Sequence, residues 1–276
     1  MLRRLAVGAS ACVLLAYLGA MALLYKSQAR LLYFPRPLQL EPTAEVFKWR
    51  SGELELRGWA INPGQPRALL YFGGNAEAVE HDVFEFRDLI PGTSVYLLPY
   101  RGYSGNPGTA SEAALFADAL AAYDAIAARH AGVDVMGRSL GSGVAVHLAA
   151  ERLVGRLLLV TPYDSIVNVA QQKYPLFPIS LLAKDRYDSA ARAPQVKSQV
   201  LLLTASSDQI IPAMHSEALA RSFDAAPLVC AFAGRGHNDI SQAPEFWPSV
   251  RRFLVGEVPC APGANPGSTG QRNGSG

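Results

Sequence analysis

Apolar runs of strand length recur along this chain, separated by helical patterns, and this alternation constrains the fold more than any other feature. Six runs are apolar apart from Asp134 and Thr204, which is typical of parallel strands buried on both faces of a sheet. They cover residues 68–72, 95–98, 133–136, 157–160, 200–204 and 228–232. A seventh stretch, 53–61, alternates apolar and polar residues, and we predict an edge hairpin strand there.

Helical patterns lie between these runs. They cover residues 111–130, 140–152, 212–223 and 244–255. Ser111 is a suitable N-cap for the first, and a proline stands near the start of each of the last two. Alternating strands and helices predict an α/β fold with a doubly wound, mostly parallel sheet. Sites in such sheets form at the carboxyl ends of the strands.

Residues 1–30 are expected to be a membrane anchor and its flank. Residues 5–25 carry no charge, and at about 1.5 Å per residue they can cross the hydrocarbon core. The alternative is a cleaved signal peptide, since Ala20-Met21-Ala22 resembles a cleavage site; the length of the apolar stretch favours a single-pass anchor. Basic residues flank both ends, so charge leaves the orientation open, and we favour an extracytoplasmic domain.

Composition excludes several classes of protein. The net charge is +2 and there is no Lys/Arg run, so we expect no nucleic-acid partner. Cys12, Cys230 and Cys260 form no CxxC pair, so we expect no metal site. Cys230 lies in a predicted buried strand, where we expect a free thiol; a Cys230–Cys260 disulfide in an oxidising compartment is the alternative.

Residues 257–276, rich in Gly, Pro, Ser and Asn, are expected to be disordered, which leaves 31–256 as the folded domain.

One GxSxG motif, Gly137–Gly141, lies between the run 133–136 and the helical pattern 140–152. This context is that of a nucleophile elbow, in which a strained turn lifts the serine hydroxyl out of the sheet. Ser139 is therefore the predicted nucleophile. The turn also leaves the backbone N–H of Leu140 free to stabilise an oxyanion.

The predicted acid and base follow two later strands. Asp208 comes after the run 200–204 and His237 after 228–232, which gives the chain order Ser, Asp, His. His237 would take the Ser139 proton, and Asp208 would orient the imidazole. Asp164, which follows the run 157–160, is the alternative acid.

The remaining site predictions concern loops at the strand ends. The Asn75 backbone N–H is the candidate for the second oxyanion donor, in the glycine-rich turn after the first parallel strand. Tyr103 is a candidate substrate contact on the next loop. Residues 163–188 exceed what one helix needs, so we expect a small lid that contributes Tyr163 and Phe177 to an acyl pocket.

These motifs resemble those of α/β-hydrolase-domain proteins that carry an N-terminal membrane anchor, a branch close to the serine aminopeptidase-like hydrolases. The matching segments are 32–35, 74–76, 100–103, 137–141, 208–212 and 236–238. The family usually has His-Gly-Asn at the oxyanion turn, and Gly73 replaces the histidine here. The resemblance implies an α/β-hydrolase fold with a small lid, preceded by one transmembrane helix, and neither metal nor organic cofactor.

We expect hydrolysis of acyl esters or thioesters, with a lipid or an acylated protein as substrate. A serine peptidase of the aminopeptidase type is the alternative enzyme, and it would need acidic side chains to bind an α-amine. A non-catalytic binding module on the same scaffold is the alternative outside enzymes. Epoxide hydrolase and dehalogenase chemistry is excluded, because it needs an aspartate where Ser139 stands.

Overall fold

A computed structural model describes the backbone of residues 2–260 and the side chains from residue 8 onward. Its centre is an eight-stranded sheet with the strand order β1-β2-β4-β3-β5-β6-β7-β8. The strands are β1 (Glu45–Ser51), β2 (Leu54–Ile61), β3 (Arg67–Phe72), β4 (Ser94–Leu97), β5 (Gly132–Arg138), β6 (Arg156–Val160), β7 (Gln199–Ala205) and β8 (Leu228–Phe232). The pairs β1–β2 and β2–β4 are antiparallel, and β4, β3, β5, β6, β7 and β8 pair parallel in that order. This confirms the predicted mostly parallel α/β sheet.

Helices cover both faces of the sheet, except for the N-terminal helix, which projects away from it. In chain order, the helices of the described residues are α1 (Leu2–Leu32), α2 (Val83–Leu89), α3 (Glu112–Ala127), α4 (Leu140–Glu151), α5 (Ile166–Lys173), α6 (Ile179–Leu182), α7 (Ser189–Arg192), α8 (Ala213–Ser222) and α9 (Phe246–Leu254). Ser111 caps α3, since its Oγ accepts a hydrogen bond from Ala114 N–H at 3.3 Å. Two clusters of buried apolar side chains, one on each face of the sheet, form the core.

Strand β1 was absent from the sequence prediction, and it displaces β2 from the edge of the sheet. Charged residues alternate with its aromatic residues, so it has no continuous apolar run. Phe47 and Trp49 nevertheless point into the core and are buried there. Strand β2 therefore pairs with β1 on one side and β4 on the other, and the hairpin β1–β2 closes this end of the sheet.

The expectation of a free thiol at Cys230 is wrong. Cys230 on β8 forms a disulfide with Cys260, with the two Cα atoms 5.9 Å apart. The chain turns back along the edge strand β8 after α9, which brings Cys260 to a strand whose Cys230 is buried but which has no further strand beyond it. The disulfide ties the end of the described chain to the sheet. The predicted disordered tail, 257–276, is therefore wrong for residues 257–260, which are held at β8 by this bridge. The rest of that tail, from 261 onward, lies outside the described residues.

Helix α1 projects from the domain, and its second half, from Tyr17 onward, contacts residues 176–182. Its segment Gly8–Leu32 has a mean hydropathy of 1.8 and is unburied along the most apolar window, so it is long and apolar enough to cross a membrane. A signal sequence would have the same properties. The helix runs through the predicted boundary between residues 30 and 31 and ends at Leu32.

Candidate active site

The turn between β5 and α4 holds Ser139 in a strained conformation. Ser139 has φ 51° and ψ −117°, which are rarely adopted outside glycine. The glycines beside it permit this geometry: a Cβ at Gly137 would lie 2.3 Å from Gly141 O, and one at Gly141 would lie 2.1 Å from Phe72 O. The close approach of strand and helix thus presents the Ser139 hydroxyl at the carboxyl end of the sheet.

Ser139, His237 and Asp208 form a continuous hydrogen-bonded chain. Ser139 Oγ lies 2.9 Å from His237 Nε2, and His237 Nδ1 lies 2.7 Å from Asp208 Oδ2. The other Asp208 oxygen accepts hydrogen bonds at 2.8 Å from the N–H groups of Ile210 and Ile211. Both side chains of the His–Asp pair are buried. The fixed carboxylate can therefore hold the imidazole with Nε2 facing the serine.

Asp164, the alternative acid, lies in a different network. Its Oδ1 is 2.8 Å from His215 Nδ1, and its Oδ2 accepts a hydrogen bond from Asn168 Nδ2 at 2.6 Å. His215 Nε2 is in turn 2.8 Å from Gln172 Oε1. These bonds join α8 to α5, the first helix of the lid, and the structure does not bring Asp164 to His237.

Two backbone N–H groups near Ser139 lack an acceptor among the described residues, those of Leu140 and Asn75. Leu140 N–H lies at the start of α4, where the first N–H groups have no partner within a helix. Asn75 lies in the turn after β3, and the preceding Gly74 approaches Ser139 so closely that a Cβ there would lie 3.8 Å from the serine Cβ. Both donors are thus available for an oxyanion at Ser139.

Three side chains from two segments fix the turn 73–77, which carries the candidate oxyanion donor Asn75. Tyr103 Oη donates to Asn75 O at 2.8 Å, and Tyr100 Oη donates to Gly73 O at 2.6 Å. Glu77 Oε2 accepts a hydrogen bond from Gly74 N–H at 2.7 Å. A side chain at Gly73 would meet Val79 Cγ1 at 2.7 Å. The histidine that the family usually carries at this position would therefore require Val79 to move.

A buried acidic cluster lies behind the turn. Tyr71 Oη donates to Glu77 Oε1 at 2.5 Å, and Asp82 Oδ2 is buried without a hydrogen-bond partner among the described residues. Burial, with the neighbouring Glu77, raises the pKa of Asp82 to about 9. Arg138 lies between this cluster and the site, and donates to the carbonyl oxygens of His237 and Asn238, both at 3.3 Å. It therefore ties the histidine loop to the elbow.

A cavity of about 600 Å³ is lined by Ser139, His237 and Asn75. Its walls are mostly apolar and come from three parts of the chain: α1, the lid and the loop after β7. The apolar side chains of these walls include Leu24, Leu31, Leu32, Tyr163, Ile166, Val169, Tyr174, Ile179, Leu182, Ile210 and Ile211. Among the described residues, no group of three or more His, Cys, Asp or Glu side chains could hold a metal ion.

Comparisons with known proteins identify relatives. An uncharacterized protein of Mycobacterium tuberculosis is 32% identical over 264 residues, which cover 89% of this chain and 93% of the relative. Alpha/beta hydrolase domain-containing protein 17C of Xenopus laevis is 27% identical over 228 residues, 78% of this chain and 71% of the relative. The chain belongs to the α/β-hydrolase family. No protein-family model matches it.

Solved structures share the fold of this hydrolase. An esterase of Pyrococcus furiosus superposes with a TM-score of 0.66 at 15% identity, over 81% of this chain and 98% of the esterase. Est1E from Butyrivibrio proteoclasticus superposes with a TM-score of 0.61 at 13% identity, over 76% of this chain and 97% of that one. At such identities the likeness establishes the architecture of the hydrolase, and its substrate has to be inferred from its own site.

Of the three side chains that the sequence predicted to contact substrate, one lines the cavity of the hydrolase and two do not. Tyr163 lines the cavity, and its hydroxyl donates to Leu140 O at 3.2 Å. Tyr103 is buried beneath the oxyanion turn and does not line the cavity. Phe177 also lies outside the lining and stacks on Tyr17 of α1 instead, with ring centroids 5.6 Å apart.

Sequence reasoning missed the contribution of α1 to the site of the hydrolase. Leu24, Gln28, Leu31 and Leu32 line the cavity. The uncharged stretch suggested a helix clear of the domain, and no local pattern distinguishes a lipid-facing leucine from one that walls a pocket. Gln28, a polar residue just after the stretch, was the one available signal.

Proposed function

We propose that this hydrolase is a serine enzyme that cleaves acyl esters or thioesters through Ser139, His237 and Asp208. The observation that carries the proposal is the hydrogen-bonded chain from Ser139 Oγ through His237 to Asp208, at the carboxyl end of the sheet. A serine hydroxyl is a weak nucleophile, and an adjacent base within hydrogen-bond distance is what activates it.

In the first half-reaction, His237 Nε2 takes the Ser139 proton as Oγ attacks the acyl carbonyl carbon. The tetrahedral oxyanion accepts hydrogen bonds from the N–H groups of Leu140 and Asn75. Collapse breaks the bond to the leaving alkoxide or thiolate, which receives its proton from His237, and the acyl-enzyme remains. Water then attacks the acyl carbonyl carbon with His237 again as base. Collapse breaks the bond to Ser139 Oγ, which takes the proton from His237 as the acid is released. Asp208 stabilises the imidazolium in both halves.

The apolar cavity supports an acyl substrate. Its lining is dominated by leucine, isoleucine and valine side chains, and about 600 Å³ is within the range of pockets that enclose small ligands. Each buried methylene of an acyl chain contributes about 0.8 kcal/mol. Tyr163 and Tyr174 add aromatic surface to the same wall.

The acidic side chains near the cavity disfavour an aminopeptidase. Of those that line it, Glu77 accepts hydrogen bonds from Tyr71 and Gly74, and Asp185 accepts them from Tyr33 Oη and Glu112 N–H. The lid's other two carboxylates are also engaged: Asp164 accepts from Asn168, and Asp188 accepts from Ala191 at the start of α7. Each of these carboxylates thus already has a structural role, and none is set aside in the lining as a dedicated site for a substrate α-amine.

We also propose that residues 1–30 anchor the domain, 31–256, to a membrane, with the domain on the extracytoplasmic side. The apolar segment of α1 supports the anchor. The Cys230–Cys260 disulfide supports the side, because disulfides persist in oxidising compartments.

The test is hydrolysis of p-nitrophenyl esters and acyl thioesters of increasing chain length, together with labelling by a fluorophosphonate. Ser139→Ala should abolish both, whereas Ser180→Ala, which changes an exposed serine on α6, should leave both intact. Turnover that survives in Ser139→Ala would disprove the nucleophile. A wild-type protein that neither labels nor turns over would favour a non-catalytic binding module, and faster cleavage of an aminoacyl amide would favour the peptidase.

A further inference from the structure

Helix α1 and the lid are in contact over a long stretch. Tyr17 Oη donates to Leu176 O at 2.9 Å, and the Tyr17 ring stacks on Phe177. Further along α1, Gln28 Nε2 donates to Leu182 O at 3.2 Å. Eleven residues of helix separate Tyr17 from Gln28, so the lid follows α1 for about 16 Å along its axis.

The lid segment beside α1 has the composition of a membrane-inserted loop. Residues 174–183 carry no charge and are bounded by Lys173 and Lys184. Leu176 and Leu181 are 80% and 82% exposed, although they are apolar. Two of the ten residues are prolines, which have no N–H to satisfy, and the N–H groups of 177, 179, 181 and 182 bond to carbonyls within the segment. The segment therefore needs little water to satisfy its backbone.

The position of Tyr17 on α1 fixes the depth of this segment. A hydrocarbon core about 30 Å thick needs about 20 helical residues, which the uncharged residues 5–25 supply. Tyr25 is at the membrane surface in that arrangement, with Lys184 Nζ 4.2 Å from its ring centroid. Tyr17 lies eight residues deeper, about 12 Å. If the lid were in water, Tyr17 would be there too, because it contacts the lid. Only residues 5–16, about 18 Å of helix, would then remain to span the core.

We infer that the tip of the lid, residues 174–182, inserts into the membrane leaflet beside α1, and that the substrate is an acyl lipid of that leaflet. This rests on the proposed function for the chemistry, while the insertion itself rests on the contacts of α1. Leu24, in the apolar part of α1, and Leu182, in the lid, both line the cavity, so an acyl chain can pass from the leaflet to Ser139 between two apolar walls. The soluble part of the enzyme would then hold the acyl bond at the membrane surface.

Insertion is tested by fluorescence in phosphatidylcholine vesicles that contain the full-length protein. In a Cys12→Ser background, which removes the exposed free thiol, Leu176→Cys and Leu181→Cys are each labelled with an environment-sensitive dye. Leu153→Cys, equally exposed at 84% but before β6 at the opposite end of the sheet, is the control. We expect blue-shifted emission and quenching by nitroxide-labelled acyl chains at 176 and 181, and neither at 153. Emission and quenching at 176 and 181 equal to those at 153 would overturn the insertion.

Hydrolysis tests the substrate class separately. The double variant Leu176→Glu/Leu181→Glu should reduce kcat/KM for a long-chain acyl ester embedded in vesicles by about ten-fold or more, because burying a carboxylate in the leaflet is costly. Its activity on a soluble short-chain ester should stay unchanged, as should both activities of Leu153→Glu. An equal loss on both esters would overturn the lipid route. If the wild type hydrolysed no ester, the proposed function would fail, and the depth measurement would still decide the insertion.

Discussion

Tyr103 donates its hydroxyl hydrogen to Asn75 O at 2.8 Å, and the Tyr103 hydroxyl oxygen accepts a hydrogen bond from Phe34 N–H at 3.0 Å. Burial raises the pKa of Tyr103 to about 12, so the hydroxyl remains a donor at neutral pH. The pair joins the segment that follows α1 to the residue whose N–H we propose as an oxyanion donor. Tyr103, expected from the sequence to touch substrate, instead positions Asn75.

Tyr103→Phe should therefore lower kcat with little change in KM. Removing a direct oxyanion donor costs about 100- to 1,000-fold, and we expect about ten-fold for loss of a group that only orients one. Tyr96→Phe is the control, because it also removes a single hydrogen bond, from Tyr96 to His130 at 2.8 Å, away from the site. A rise in KM at constant kcat would instead indicate that Tyr103 contacts the substrate.

Asp208→Asn should reduce kcat by roughly 10⁴-fold, the scale seen when the orienting acid of a serine triad is lost. Asp164→Asn should leave kcat nearly unchanged and instead weaken the attachment of the lid, at a cost of about 1–3 kcal/mol in the free energy of unfolding. Steady-state kinetics and urea unfolding of both variants measure these effects. The reverse outcome, with activity lost at Asp164 and kept at Asp208, would contradict our assignment of the acid.

Asp82 should make the stability of the fold depend on pH. Burial and Glu77 raise its pKa from 3.8 to about 9, against a smaller opposing effect of Arg138. The folded state therefore keeps a proton that the unfolded chain releases, and stability falls as pH rises from about 4 to about 9. Asp82→Asn should remove this slope and be the more stable protein at pH 9. Melting temperatures from pH 5 to 9 test this, with the exposed Asp88→Asn as control; parallel curves for wild type and Asp82→Asn would contradict it.

The Cys230–Cys260 disulfide should stabilise the domain by about 3–4 kcal/mol, the value that loop entropy gives for two cysteines 30 residues apart. The double variant Cys230→Ser/Cys260→Ser should lose this amount in urea unfolding. A reductant should lower the melting temperature of the wild type and of Cys12→Ser, but not that of the double variant. A wild type insensitive to reductant under unfolding conditions would show that the bridge does not form.

Truncations of α1 should separate anchoring from the wall of the cavity. Deleting residues 1–16 removes part of the apolar span but keeps Tyr17 and all four lining residues, so long-chain and short-chain ester hydrolysis in detergent should both persist. Deleting residues 1–32 removes Leu24, Gln28, Leu31 and Leu32 from the lining, and kcat/KM should fall for long-chain esters more than for short ones. Equal chain-length profiles for the two truncations would show that α1 does not contact the acyl chain.

Local patterns in the sequence were enough to predict six parallel strands, the elbow at Ser139 and the chain order of Ser139, Asp208 and His237. An apolar run indicates a strand buried on both faces, and a glycine two residues before and two after a serine indicates a tight turn. Each of these signals lies within a few neighbouring residues, so it can be recognised without the tertiary structure. Strand β1 gave no such signal, because its charged residues face outward between Phe47 and Trp49.

The tertiary structure decided what depends on residues far apart in the chain. It brought Asp208 to His237 and Asp164 to His215, a choice that chain order alone left open. It paired Cys230 with Cys260, moved Tyr103 from the substrate wall to the support of Asn75, and laid Tyr17 against Phe177 across 160 residues of sequence. Periodicity identifies which face of an element is apolar, but only the packing of whole elements determines which partner covers that face.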